Sequence, residues 1–197
     1  VFLKGFRLTG DERFRRIALE TADRLLRDED PPGNWIGYAP CSRAEGCIHP
    51  RHAYWWGRPM LALFQETQDS RYLDLFKRSV HWYAQALRRD GGLFRGTYAD
   101  FTTNSFGHAT SGVACAALMF QDYLEITGDP DIEPHLERAL GFCMKMQFTN
   151  PADPNLVGCI LEKIKAPDGT DASPYHIRDL GTIFFVQAAA NVLSTNK

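Results

Sequence analysis

The sequence has no apolar run of the roughly 18–20 residues that a membrane-spanning helix needs, so no membrane partner is expected. It also lacks an excess of one charge. Its 197 residues carry 22 Lys+Arg against 24 Asp+Glu, a formal net charge of −2. That balance argues against a nucleic-acid partner, which would call for a basic stripe. No secretory leader is read in Val1-Phe2-Leu3-Lys4-Gly5-Phe6-Arg7, where charge and glycine interrupt the apolar stretch too early. There is no Gly-x-Gly-x-x-Gly, no Walker loop, no Gly-x-Ser-x-Gly and no His-Glu-x-x-His. Strand signals are scarce, limited to short pieces such as Gly92-Leu93-Phe94-Arg95 and Val157-Gly158-Cys159-Ile160-Leu161. Cysteine is sparse and odd in number, five in all, so the thiols cannot all pair. Cys41 and Cys47 lie near enough for a local bridge. With His49 and His52 they offer four ligand types, but the spacing matches no common zinc pattern. No metal and no cofactor are expected. What is present, 44% hydrophobic and 12% aromatic residues, suffices for a sizeable core and excludes disorder.

The dominant signal is an internal repeat. Thr9-Gly10-Asp11 recurs as Thr67-Gln68-Asp69 and as Thr127-Gly128-Asp129, at spacings of 58 and 60 residues. After each turn, apolar residues follow helical periodicity: Phe14, Ile17, Ala18, Thr21, Ala22 and Leu25 in the first unit. These are amphipathic helices. Before the second and third turns, and again near the end of the chain, lie segments apolar nearly all round: 59–64, 112–120 and 182–193. Such segments are expected to be buried on all sides. The unit is an inner helix, a tight turn, an outer helix and a long return loop. A period near 60 exceeds that of the common short helical repeats and suits an α/α toroid. The predicted fold is all-α, a partial α/α toroid of about three hairpins in a single domain, 1–197, with units near 1–50, 51–108 and 109–197. Gly5 to Thr9 aligns with the last turn of an inner helix. The chain is therefore expected to be the C-terminal part of a larger barrel, and the remainder of a longer chain to complete it.

Helix N-termini attract anions and polar ligands, so the residues preceding each inner helix are the ones to inspect. They differ from the rest of the chain. The first window, 49–58, holds His49, Arg51, His52, Tyr54, Trp55, Trp56 and Arg58. The second, 98–111, holds Tyr98, Asp100, Asn104 and His108. The third, 171–179, holds Tyr175, His176, Arg178 and Asp179. Aromatic faces beside amides, histidines and arginines suit sugar rings and their hydroxyls. Arg51, Arg58 or Arg178 could grip a carboxylate with two prongs. Asp179 and Asp100 are the candidate acid/base groups. A glycosidase needs two carboxyl groups, and one of them could lie outside this chain.

At this point the residues resemble the six-hairpin glycosidases. Tyr54-Trp55-Trp56-Gly57-Arg58-Pro59-Met60-Leu61-Ala62-Leu63, then Thr67-Gln68-Asp69-Ser70-Arg71-Tyr72, then Asp90-Gly91-Gly92-Leu93-Phe94, is similar to the C-terminal half of unsaturated glucuronyl and rhamnogalacturonyl hydrolases. There a Trp-x-Arg-Gly motif opens an inner helix. The departures are Pro59 for the glycine after the motif arginine, Ala62 for a substrate-stacking tryptophan, and Gly107-His108 within an Asp-Ser-Ser run. Arg58 carries over as a substrate contact. The family's catalytic Asp does not, because it belongs to a hairpin upstream of the motif arginine.

The expected function is carbohydrate processing, most of all hydrolysis of uronic-acid-containing or unsaturated oligosaccharides, with an oligosaccharide or polysaccharide as partner. The catalytic candidates are Asp179, Asp100 and His108. The substrate-binding candidates are His52, Tyr54, Trp55, Trp56, Arg58, Asn104, Tyr175, His176 and Arg178. Two alternatives use the same ring: a lyase with His108 and Tyr98 or Tyr175, or an epimerase with His108 and His176. A third is a non-catalytic helical scaffold.

Overall fold

The structure, a computed structural model, describes residues 1–44, 48–94, 96–97, 100–102, 109–164, 175–177 and 179–195. The three repeated turns share one bonding pattern. In each, the threonine hydroxyl donates to the carbonyl four residues back, at 2.8, 2.8 and 2.7 Å. The same oxygen accepts the N–H of the aspartate at 3.2 Å. The aspartate then caps the next helical segment, accepting the N–H two residues on (Arg13, Arg71, Asp131) at 2.9, 3.0 and 3.0 Å. The middle residue ends the inner helix in the left-handed region, with φ of 70°, 59° and 63° at Gly10, Gln68 and Gly128. A three-residue word thus ends one helix and starts the next.

The helices follow. The first hairpin is α1 (Phe2–Thr9) and α2 (Glu12–Asp28). The second is α3 (Arg58–Thr67), entered through a π-turn over Ala53–Gly57, and α4 (Ser70–Ala86). The third is α5 (Thr110–Thr127) and α6 (Glu133–Lys145). Between α6 and the last helix, β1 (Leu161–Ile164) and β2 (Tyr175–Ile177) form a short antiparallel ribbon, with Leu161 opposite Ile177 and a bulge before Lys163. The final helix is α7 (Asp179–Thr195). Inner helices α1, α3, α5 and α7 thus alternate with outer helices α2, α4 and α6, as an arc of an α/α toroid.

The core centres on α5, which is buried from Thr110 to Phe120 and again at Tyr123. Its small residues, Gly112, Ala114, Cys115, Ala116 and Ala117, allow α4, α6 and α7 to pack closely around it. From α4 come Tyr72, Leu75, Phe76, Val80, Trp82 and Tyr83 on the matching face. Return loops are tied down by backbone close to the outer helices. Gly91 (φ 87°) lies so near α6 that a Cβ there would strike the Arg138 carbonyl. Arg78 grips Glu29 at 2.6 and 2.8 Å, and Glu29 accepts the N–H of Gly33, which fixes the first return loop on α4.

Two expectations are corrected. Tyr175 and His176 lie on a strand, β2, whereas the sequence pattern marks no strand there; pairing with β1 supplies what local pattern does not. The all-round apolar pattern of α7 predicts complete burial, yet Ile183, Val186 and Leu193 are 47%, 58% and 68% exposed. One face of α7 packs on α5. Nothing among the described residues covers the other, because α7 stands at the edge of the arc. α1 is the opposite edge and buries no residue fully.

Candidate functional site

A groove of about 520 Å³ opens between α3 and α5, with Tyr54, Trp55, Arg58, Gln65, Asp122 and Glu125 among its walls. Its centre is an ion pair. Asp122 on α5 accepts from Arg58 Nε at 2.6 Å and from Nη2 at 3.1 Å. Tyr54 Oη accepts from Nη1 at 2.8 Å. The Arg58 guanidinium also stands 5.3 Å from the Tyr54 ring centre. Burial alone would lower the Arg58 pKa, but the Asp122 carboxylate and Tyr54 more than reverse it, so the group is held above its ordinary value. Burial pushes the Tyr54 phenol up, partly offset by Arg58. Both groups keep their ordinary charge at neutral pH.

The π-turn decides which aromatic faces which way. Trp56 turns back into a nest, 5.6 Å from Trp35, 4.8 Å from Tyr38 and 4.1 Å from the His52 ring. Trp55 turns outward and is 38% exposed at the groove. It is held in place by His49, stacked at 6.1 Å with planes 11° apart, and by the Arg51 guanidinium 5.0 Å from its centre. Tyr54 packs edge-on against Phe184 of α7 at 5.3 Å, which links α3 to the last inner helix. Extra residues in π-turns commonly serve this purpose of redirecting side chains.

His52 is fully buried. Burial lowers its pKa, opposed by its bond to the Trp35 carbonyl, so it is neutral at pH 7. Its Nδ1 lies 3.3 Å from that carbonyl and 3.2 Å from the Cys41 sulfur. His52 and Trp56 therefore stand behind Trp55 rather than in the groove. Cys115 and Cys143 are buried thiols whose pKa values are raised by burial, Cys143 to about 12, so both are inert.

Asp179 begins α7, is exposed, and accepts the Leu180 N–H at 2.9 Å. Asp100 is exposed in a turn and accepts from Thr102 Oγ1 at 2.7 Å and Thr102 N at 3.0 Å. Those two bonds hold its carboxyl below the usual range, the direction that suits a base and not an acid. Asn104, His108, Arg178, Tyr98 and Cys47 lie outside the described residues. Tyr175 and His176 are placed on β2 by their backbone.

Sequence reasoning missed Asp122, Gln65, Glu125 and Glu162. Glu162 on β1 is only 7% exposed. It accepts from Ser111 N at 3.0 Å and Ser111 Oγ at 2.6 Å, capping the start of α5. A Cβ on Gly181 would come within 3.0 Å of its Oε2, so the carboxylate lies between the first turns of α5 and α7. The available signal was an acid at the end of an apolar stretch: Asp122 just after 112–120, and Glu162 just after 157–161.

No protein-family model matches the sequence, and no curated protein matches it. Solved structures do. An unsaturated glucuronyl hydrolase from Bacillus sp. GL1 superposes with a TM-score of 0.70 at 17% identity, covering 96% of this chain and 52% of that one. A possible member of the GH105 family from Salmonella enterica gives 0.74 at 12% identity, covering 98% and 53%. An inactive variant of an α-1,6-mannanase from Salegentibacter sp. HEL1_6, in complex with α-1,6-mannotriose, gives 0.66 at 16% identity, covering 100% and 53%. The chain shares the α/α-toroid fold of these structures and spans about half their length.

Proposed function

We propose that this chain is the substrate-binding part of a toroidal glycoside hydrolase acting on uronic-acid-containing or unsaturated oligosaccharides. The observation that supports it best is the groove itself: an outward-facing Trp55 braced by His49 and Arg51, beside the hydrogen-bonded Tyr54–Arg58–Asp122 set. Braced aromatic faces hold the apolar side of a pyranose, and fixed polar groups read its hydroxyls. The brace limits the ordering that binding requires, which is the advantage of preorganisation.

In this reading Trp55 and Tyr54 stack the sugar, Arg58 contacts hydroxyls, and His52 and Trp56 position Trp55 from behind. Asp179, exposed at the N-terminal turn of an inner helix, supplies one acid/base carboxyl group; Asp100 and His108 are the further catalytic candidates, and Asn104, Tyr175, His176 and Arg178 the further substrate contacts. The second carboxyl belongs to hairpins beyond residues 1–197, and those hairpins cover the open edges at α1 and α7. The pair would divide the work of protonating the leaving oxygen and activating water or forming the glycosyl bond.

The test uses the full-length protein and an unsaturated uronyl disaccharide. Hydrolysis removes the ultraviolet absorbance of the carboxylate-conjugated C=C bond and releases a reducing end. Asp179→Asn should lower kcat by about 10²–10⁴ with KM little changed. Rising absorbance on a saturated polyuronide would instead identify a lyase. Neither turnover nor binding of any glycan would leave the scaffold reading.

A further inference from the structure

The charges of the groove narrow what it accepts. Of the five N–H donors of Arg58, three are already engaged, two by Asp122 and one by Tyr54. Among the described residues lining the groove, Arg58 is the one cation, while Asp122 and Glu125 are both acidic. The lining therefore sums to −1, with its cation neutralised by a bidentate partner that is itself mostly buried. A uronate carboxylate entering here would reach only the two Arg58 N–H groups left over, on a guanidinium whose charge Asp122 already neutralises, with the Glu125 carboxylate beside it. The net repulsion disfavours it. An uncharged pyranose meets no such barrier. Its hydroxyls donate to Asp122, Glu125 or the Gln65 amide oxygen and accept from the two remaining Arg58 N–H groups. Its C–H face lies on Trp55.

We infer that the groove between α3 and α5 is a subsite for an uncharged sugar ring, and that Asp122 is the residue that excludes a uronate from it. The inference rests on the reading of the chain as a carbohydrate-binding toroid and deepens it: the acidic residue of the glycan is placed elsewhere on the ring, and the groove takes a neutral neighbour. Asp122 acts here as a specificity residue through Arg58, by neutralising the cation that would otherwise attract a substrate carboxylate.

The experiment is calorimetric titration of the full-length protein with two probes, a neutral manno- or gluco-trisaccharide and a trigalacturonate, at low and high salt. The Trp55-dependent binding of the neutral probe should be at least about tenfold tighter than any Trp55-dependent binding of the uronate, which separates this groove from the acidic subsite elsewhere on the ring. The weak uronate binding should strengthen as salt screens the repulsion. Trp55→Ala should weaken the neutral probe by about tenfold. Asp122→Asn should raise uronate affinity by about tenfold while changing the neutral probe less than about threefold. Because loss of Asp122 leaves Arg58 partly unpaired, Glu125→Gln is the second variant. It removes one exposed charge and should raise uronate affinity by about threefold. Uronate binding that is lost in Trp55→Ala, equals or exceeds the Trp55-dependent neutral binding, and weakens with salt would overturn the inference while leaving the glycan-binding reading intact. Absence of binding by both probes, together with absence of turnover, would overturn that reading itself.

Discussion

Gln68 holds a left-handed backbone conformation (φ 59°) at the position where Gly10 and Gly128 stand in the other two turns. A side chain there costs about 1 kcal/mol relative to glycine, and the Gln68 amide recovers part of it through long bonds to the Phe64 and Gln65 carbonyls at 3.4 and 3.3 Å. Gln68→Gly should therefore stabilise the fold by roughly 0.5 kcal/mol, read as a higher denaturant midpoint at unchanged slope. Gly91 is the opposite case. Gly91→Ala adds a Cβ against the Arg138 carbonyl and should destabilise by more than about 2 kcal/mol. Titration at single residues gives a third expectation. The folded pKa of His52 lies below its ordinary 6.5 because of burial, so the unfolded chain binds the extra proton first. Stability from this group is complete above about pH 6.5 and falls as the pH drops through the folded value. A second loss follows at lower pH, where carboxylates held below their ordinary value by hydrogen bonds, Asp28, Asp69 and Asp90 among them, take up protons. Thermal unfolding followed from pH 7 downward should show both losses. His52→Gln should flatten the first and leave the second unchanged.

At the scale of the element, the helix starts are capped by carboxylates from different distances. The turn aspartates cap from two residues away, and their role was legible in the sequence because every bond in Thr67-Gln68-Asp69 is local. Glu162 caps α5 from a strand 51 residues on, and nothing local announces it. Glu162→Ala should destabilise by about 2 kcal/mol, because it leaves the buried Ser111 hydroxyl and N–H without their partner. Ser111→Ala, combined with it, should add less than its separate cost. The same contrast explains the candidate site. Tyr54, Trp55 and Arg58 could be picked out as sugar-compatible residues ahead of an inner helix. That Trp55 would face the groove and Trp56 the nest could not, since an ideal helical period does not anticipate the π-turn at Ala53–Gly57. Asp122 pairs with an arginine 64 residues away, so its importance depends on how α3 and α5 lie together.

For the whole molecule, the alternation of inner and outer helices was readable because burial imposes two periodic patterns that repeat three times. The strand at Tyr175–Ile177 was not, because three residues carry too little pattern of their own. The exposed row Ile183, Val186 and Leu193 has a direct consequence for the chain of residues 1–197 in isolation. It should self-associate with rising concentration in sedimentation velocity, and Ile183→Ser, Val186→Ser and Leu193→Ser together should return it to monomer without loss of helical circular dichroism. The threefold recurrence of the same turn carries a wider meaning. Each turn satisfies its own hydrogen bonds without reference to its neighbours, so a hairpin is an exchangeable part. A ring built this way can gain or lose whole units by duplication or deletion between equivalent turns. Its chemistry, held in side chains such as Trp55 and Asp122 that face across units, can then diverge while the framework stays the same.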